Sequence, residues 1–139
     1  MSSWTVRPLK PGDQIRVNRG AYWHHGVYLG DGRVAHFAGE NDDGLSDPES
    51  VRVREADIAD FTRGGFAEAR EYGLAERLRL RRPDAVVEAA RSRVGVGGYD
   101  MIKNNCEHFS NECAFGAHES GQVDDIRRRV RALLKKDGR

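Results

Sequence analysis

The sequence predicts an α+β protein in which an antiparallel sheet packs against helices. Two observations support this prediction. Short segments with alternating, aromatic or β-branched residues fill the first half of the chain, and helical spacing of apolar residues dominates the second half. The 139 residues suit one domain, which we expect to comprise a main unit over residues 1–121 and a basic amphipathic helix over residues 122–139.

The clearest local prediction is a β-hairpin in the first third of the chain. The turn residues Pro11-Gly12-Asp13 precede an alternating strand over residues 14–17. The aromatic-rich segment 21–29 predicts the first hairpin strand, Gly30-Asp31-Gly32 the turn, and residues 33–37 the second strand.

The rest of the chain divides into a loop, short strands and helices. Proline in a first helical turn and glycine after a last one mark the helix boundaries. The predicted elements are an exposed loop over 39–50, strands over 51–53 and 66–72, a helical turn over 57–61, a helix over 83–94 with an apolar stripe of Val86, Val87, Ala90 and Val94, a helix that starts near Asn104 or Asn105, and a helix over 122–136.

The composition excludes several classes of protein. Lys and Arg total 23 and Asp and Glu total 22, which argues against a dedicated nucleic-acid-binding protein. The hydrophobic share of 38% is too high for a wholly disordered chain, and no apolar run has the length of a membrane span. The N-terminus lacks the apolar stretch of a signal peptide. We therefore expect a cytoplasmic protein.

The two cysteines lie seven residues apart in one predicted helix. This spacing gives about 10 Å of helical rise, which exceeds the reach of a disulfide, so we expect free thiols. Cys106 follows Asn105, a favoured N-cap residue, and free amide groups at a helix start favour a thiolate. Cys106 is therefore either a nucleophile or a small buried apolar residue. We interpret Cys113, which lacks this position, as a core residue.

A cysteine nucleophile needs a base, and the chain has five histidines. His108 lies two residues from Cys106 on the same helix, where side chains do not face each other. His118 lies in a polar segment that we expect to be solvated. The candidates that remain are in the hairpin: His24 or His25 on the first strand, and His36 on the second.

Strand geometry separates the hairpin histidines. The neighbours His24 and His25 point to opposite faces, so only one of them shares a face with His36. A two-residue Asp31-Gly32 loop puts His36 on the face of His25, whereas a loop of odd length puts it on the face of His24. Both registers remain open, because the flanking glycine also permits a three-residue loop with a bulge.

Two sequence blocks match a known pattern. In HHGVYLGDGRVAHF, the positions of His24, Tyr28, the Gly-Asp-Gly turn and His36 fit it, and residues 105–109 read Asn-Cys-Glu-His-Phe. With the opening Pro-Gly-Asp, these blocks resemble the lecithin retinol acyltransferase family, and within it the small H-Ras-like-suppressor phospholipases and acyltransferases. The resemblance extends in patches over roughly residues 8–126.

The resemblance implies a circularly permuted relative of the NlpC/P60 cysteine peptidases, with a papain-like sheet and helix. It implies that Cys106 is the nucleophile, His24 the base and His36 the third polar residue, and it therefore favours the loop of odd length. His25 stands where the family usually carries Trp or Phe, so we interpret it as a packing residue.

The implied activity is that of a thiol-dependent acyltransferase or acyl hydrolase of the phospholipase A type. It would form an acyl-thioester on Cys106 from a lipid ester, without a cofactor. An alternative is a cysteine amidase or peptidase of the NlpC/P60 kind. A non-catalytic interaction module is a further alternative, against which the three matching residues argue. We expect no metal site, because neither a Cys-x-x-Cys nor a His-Glu-x-x-His spacing occurs.

The C-terminal segment 122–139 contains seven basic and three acidic residues, a net charge of +4. A basic amphipathic helix is able to lie on anionic lipid. The alternative, which we favour from the sequence, is that the helix packs on the domain with its basic face in water. If the substrate is a lipid ester, we nevertheless expect residues 122–136 to make peripheral contact with anionic membranes.

Overall fold

The computed structural model describes residues 3–39, 48–97 and 105–116. The strands are β1 (Ser3–Thr5), β2 (Gln14–Asn18), β3 (Trp23–Gly30), β4 (Arg33–Ala38), β5 (Arg52–Asp57) and β6 (Glu68–Glu71). The helices are α1 (Ile58–Thr62), α2 (Leu74–Arg79), α3 (Pro83–Ser92) and α4 (Cys106–Phe115), with a 3-10 turn over Pro48–Ser50.

The described strands form a six-stranded sheet in the order β1-β6-β2-β3-β4-β5. Every pair of neighbours is antiparallel, and β3 lies near the centre, between β2 and β4. Helices pack against this sheet, so the predicted α+β class is confirmed.

The hairpin of β3 and β4 combines a two-residue turn with a bulge. Asp31 and Gly32 occupy the turn with positive φ angles of 53° and 74°, and Gly30 pairs with Arg33. The register then shifts between Tyr28 and Gly30, which places one extra residue in β3.

This bulge decides which histidines share a face. His36 pairs with Gly26, and residues two apart on a strand point the same way, so His36 lies on the face of His24. The shared face agrees with the family resemblance. The expected loop of odd length is wrong, because the bulge, and not the loop, changes the parity of the strand.

The two sides of the sheet carry separate apolar clusters. Helices α3 and α4 cover one side, which we call the helical side, and Phe61 of α1 covers part of the other, the α1 side. The helical-side cluster comprises Val27, Leu29, Ala35, Phe37, Val51, Val53, Val86, Ala90, Phe109 and Cys113. The α1-side cluster comprises Ile15, Val17, Val34 and Phe61.

Several predicted boundaries need correction. Strand β5 continues to Asp57, well beyond the expected 51–53, because β4 offers it a full-length partner. Helix α3 ends at Ser92, which leaves Val94 outside the helix and 43% exposed. Strand β1 and helix α2 have no counterpart among the predictions.

Other predictions fall on parts of the chain that the structure does not describe. These are the centre of the loop, 40–47, the helix over 122–136, and His118.

Candidate active site

His24 and His36 form a direct hydrogen bond on the α1 side of the sheet. Nε2 of His24 lies 2.8 Å from Nδ1 of His36, and the two rings meet edge to face with centroids 5.1 Å apart. Phe61 packs on both rings, at 5.2 Å and 5.5 Å between centroids. Because both imidazoles are almost fully buried, their hydrogen bond fixes the orientation of each ring.

The sheet opens next to this pair. Residues of β3 pair with β4 from Gly26, which is opposite His36, onward to the turn. On its other edge, β3 pairs with β2 from Trp23 onward. Strand β4 continues to pair with β5 up to Ala38. The first residues of β3, including His24, therefore lie where β3 and β4 diverge.

Cys106 is the first residue of α4, and its thiol lies at the start of β3. Sγ is 4.0 Å from the carbonyl oxygen of Trp23, the residue before His24. Cys106 is half-buried, and it packs against the helical-side cluster. The structure thus joins His24 to His36 by a hydrogen bond and places Cys106 beside the neighbour of His24 in the chain.

The start of α4 has the cap that the sequence predicts. Oδ1 of Asn105 accepts a hydrogen bond from the backbone N–H of His108 at 3.0 Å, and Nδ1 of His108 accepts one from the N–H of Asn105 at 3.4 Å. This reciprocal cap binds amide groups that the first helical turn leaves without an intrahelical partner. It also gives His108 a structural role, which agrees with its exclusion as a base.

A buried polar network attaches α4 to β2. Nε2 of Gln14 donates to Oγ of Ser110 at 3.0 Å and to Oδ1 of Asn111 at 2.8 Å. Its Oε1 accepts from the hydroxyl of Tyr72 at 2.8 Å and from Arg70 at 3.1 Å. Two of the four hydrogen bonds of this amide therefore reach the helix that carries Cys106, and the other two hold the amide in place.

Cys113 differs sharply from Cys106. It is 1% exposed within the helical-side cluster, and burial raises the pKa of its thiol to about 12. The thiol therefore remains protonated at neutral pH, and the interpretation of Cys113 as a core residue is confirmed. Both cysteines are free, as the sequence predicts.

His25 points to the helical side and packs against Trp4, with ring centroids 5.6 Å apart. Burial, together with the positive charges of Arg16 and Arg70, lowers the pKa of His25 to about 4. Its Nδ1 has no hydrogen-bond partner among the described residues. His25 is thus a neutral imidazole in an aromatic and cationic environment.

Two features of the site escaped the sequence analysis. Alternation in β2 suggests that Gln14 and Arg16 face water, yet α4 and the edge strands cover that face, so Gln14 is buried and Arg16 is largely enclosed. The contact of Arg16 with Trp4 depends on β1, which the sequence did not predict.

The fold and site together define a class of protein: an antiparallel sheet with a histidine pair on its central hairpin and a cysteine at the start of a packed helix. A family model described as lecithin retinol acyltransferase matches residues 7–119. This match covers most of the chain, so the chain belongs to the lecithin retinol acyltransferase family. The resemblance seen in the two sequence blocks is thereby confirmed.

Curated relatives carry the names of two kinds of enzyme. Lecithin retinol acyltransferase of Rattus norvegicus is 29% identical over 153 residues, which cover 95% of this chain and 65% of the relative. Phospholipase A and acyltransferase 3 of Homo sapiens is 30% identical over 125 residues, 84% of this chain and 77% of the relative. This chain thus spans slightly less than two thirds of the rat protein. Among the described helices, none combines the length and apolar character needed to cross a bilayer.

Proposed function

We propose that this chain is a thiol-dependent acyltransferase or acyl hydrolase that acts on lipid esters. The observation that carries this proposal is the buried hydrogen bond between His24 and His36, on a hairpin whose first strand begins beside the thiol of Cys106. Nε2 of His24 bonds to His36, so Nδ1 is the nitrogen assigned to proton exchange with the thiol. In this assignment, His36 orients His24 and stabilises its protonated form.

The first half-reaction forms an acyl-enzyme. Nδ1 of His24 takes the proton from Cys106, and the thiolate attacks the carbonyl carbon of the ester. The tetrahedral intermediate then collapses, the bond to the alkoxy oxygen breaks, and that oxygen leaves as an alcohol with the proton from His24. A thioester remains on Cys106.

The second half-reaction releases the acyl group. Water, an alcohol or an amine gives a proton to His24 and attacks the thioester carbonyl, and the sulfur leaves as the product forms. The proton on His24 returns to Cys106. The backbone N–H of Cys106, in the first helical turn, is the proposed donor to the oxyanion of both tetrahedral intermediates.

A lipid ester is the proposed substrate class because relatives are named as lecithin retinol acyltransferase and as phospholipase A and acyltransferase. The test is intact-mass spectrometry of the full chain after incubation with a mixture of phospholipids. We expect a mass increase that equals one acyl chain, and we expect Cys106→Ser to lose it while Cys113→Ser keeps it. Absence of an adduct, together with cleavage of a peptide amide that requires Cys106, would favour a cysteine amidase instead.

A second test compares the two thiols directly. Cys106 should react with iodoacetamide much faster than Cys113 near neutral pH, because its half-buried thiol lies at a helix N-terminus and Cys113 is enclosed. Peptide mapping of the alkylated chain over time measures both rates. Equal rates would argue against an activated nucleophile at Cys106.

We further propose that residues 122–139 form a unit distinct from a catalytic unit over residues 1–121 and that residues 122–136 contact anionic membranes. The support is the net charge of +4 and the apolar edge of this segment. Attraction to an anionic surface amounts to about 1 kcal/mol per basic residue and weakens with salt. A chain truncated after Asp125 should therefore sediment less with anionic vesicles than the full chain. Equal sedimentation of both would assign the segment a structural role.

A further inference from the structure

An arginine lies between two indole rings beside the candidate nucleophile. The guanidinium carbon of Arg16 is 3.7 Å from the ring centroid of Trp23 and 4.6 Å from that of Trp4. Contacts of this kind hold a guanidinium through cation–π attraction and restrict its rotation. Arg16 is thus a fixed cation, unlike the long flexible side chain of a surface arginine.

This group lies on the helical side of the sheet, where Cys106 is. Arg16 pairs across the strands with His25, and Trp23 is two residues from His25, so all three point to the same side. The carbonyl oxygen of Trp23 is 4.0 Å from Sγ of Cys106. One residue therefore contacts both the guanidinium, through its ring, and the thiol, through its backbone.

The hydrogen-bonding groups of Arg16 are only partly used. Nε donates to Glu68 at 2.9 Å, while Nη1 and Nη2 have no partner among the described residues. By contrast, Arg7 binds Asp13 through both of its Nη atoms. The side chain of Arg16 keeps 23% of its surface exposed, and its two Nη groups form a fork next to the site.

We propose that Arg16, held by Trp4, Trp23 and Glu68, binds the phosphodiester of a glycerophospholipid whose ester is presented to Cys106. A guanidinium fork matches two oxygens of a phosphate group and forms charge-assisted hydrogen bonds with them. This proposal rests on the proposed acyl chemistry and adds a head-group subsite to it.

The local field supports the choice of an anion. Arg16 and Arg70 both lower the pKa of His25, which indicates a positive potential on this part of the helical side. Trp23 is 37% exposed, and an indole at the rim of a site suits the boundary between lipid and water. A neutral lipid ester offers acceptors but no anionic pair of oxygens to form charge-assisted hydrogen bonds with the fork.

The test measures selectivity, not total activity. Acyl-adduct formation on Cys106 is followed with diacylglycerophosphocholine and with the diacylglycerol of the same chains, each at a fixed surface concentration in nonionic mixed micelles. We expect Arg16→Ala to lower the ratio of phospholipid to diacylglycerol rates about tenfold or more, because charge-assisted hydrogen bonds are lost. Arg16→Lys keeps the charge without the fork and should lower the ratio less.

Matched controls separate this role from a structural one. Arg33→Ala removes another strand arginine that binds carboxylates, Glu55 and Asp57, and should leave the ratio unchanged. Thermal unfolding of each variant monitors the fold. If Arg16→Ala fails to fold, Arg16→Lys still tests the ratio. Equal losses on both lipids, or no change on either, would overturn the head-group assignment.

The remaining outcomes are also distinct. If the wild-type chain forms no adduct on Cys106 with either lipid, the proposed acyl chemistry itself fails. Inorganic phosphate is the second probe, and we expect millimolar amounts to leave the ratio unchanged. Competition by inorganic phosphate that disappears in Arg16→Ala would assign the fork to free phosphate and overturn the assignment to a lipid diester.

Discussion

His24 and His25 are adjacent in the sequence and both buried, yet their surroundings have opposite chemical consequences. His24 is 1% exposed and bonds to His36 on the α1 side, in a pair that fixes the orientation of both rings. His25 is 7% exposed on the helical side, packs against Trp4, and remains neutral near two arginines. Strand alternation puts the two residues on opposite faces, and the bulge in β3 places His36 on the face of His24. The comparison teaches that the side of the strand, and not the residue type, determines which histidine is suited to proton transfer.

The largest expected effect concerns the proposed base. His24→Ala should lower the rate of acyl-adduct formation by about 100-fold to 10,000-fold, the usual contribution of a general base. His25→Ala should change this rate only slightly, because His25 faces away from His36, packs against Trp4 and stays neutral. Rates with excess lipid, measured on variants whose folding is checked by circular dichroism, test the contrast. A larger loss in His25→Ala than in His24→Ala would reverse the assignment.

The next effect concerns the partner of His24. His36→Ala removes the hydrogen bond at 2.8 Å and should lower the rate about 10-fold to 100-fold, since a hydrogen bond to a charged imidazole is lost. His36→Gln retains an acceptor and should recover part of the activity. The pH dependence of the rate is the discriminating measurement, because a positioning role shifts its acidic limb. Equal activity in both variants and wild type would remove His36 from the mechanism.

His25, the other histidine of this comparison, predicts that stability depends on pH. The pKa of His25 falls from 6.5 to about 4 on folding, so between these values the unfolded chain binds a proton that the folded chain does not. The free energy of unfolding therefore decreases as the pH falls through this window, by about 3 kcal/mol in total. His25→Phe keeps a ring beside Trp4 without this titration, and its stability should decrease less.

Urea unfolding of both proteins at pH 7, 6 and 5 measures this difference. Carboxylates titrate in wild type and in His25→Phe alike. The way the stability difference between the two proteins varies with pH therefore reports on His25 alone. Curves that remain parallel over this range would show that His25 does not account for any loss of stability in acid.

The sequence predicted those elements whose signals are local. The Asp-Gly turn marked the hairpin, and Asn105 marked the start of α4, since caps and tight turns depend on the residues that form them. The bulge between Tyr28 and Gly30 could not be derived in this way. The glycines around Asp31 permit more than one loop, so only the family resemblance placed His36 on the side of His24.

Elements that depend on distant partners were missed. Strand β1 has three residues and, among the described strands, pairs with β6 alone, which is 63 or more positions away in the chain. Helix α2 exposes Leu74 and Leu78 by about 80%, so it has no buried apolar stripe to reveal it. The contact of Arg16 with Trp4 requires β1, so the sequence analysis could not predict that the guanidinium of Arg16 contacts two indole rings.

The smallest expected effect concerns how the helical side holds α4. Gln14→Ala removes the hydrogen bonds of Gln14 to Tyr72, Ser110 and Asn111 in a buried network, and it should lower the free energy of unfolding by about 1–3 kcal/mol. Thr5→Ala, a change at an exposed strand residue, should stay within about 0.5 kcal/mol. Because the network fixes α4, Gln14→Ala should also alter the alkylation rate of Cys106, while the buried pair of His24 and His36 on the α1 side keeps its geometry. Loss of stability with an unchanged alkylation rate would show that the cap at Asn105 is sufficient to position the thiol without the network.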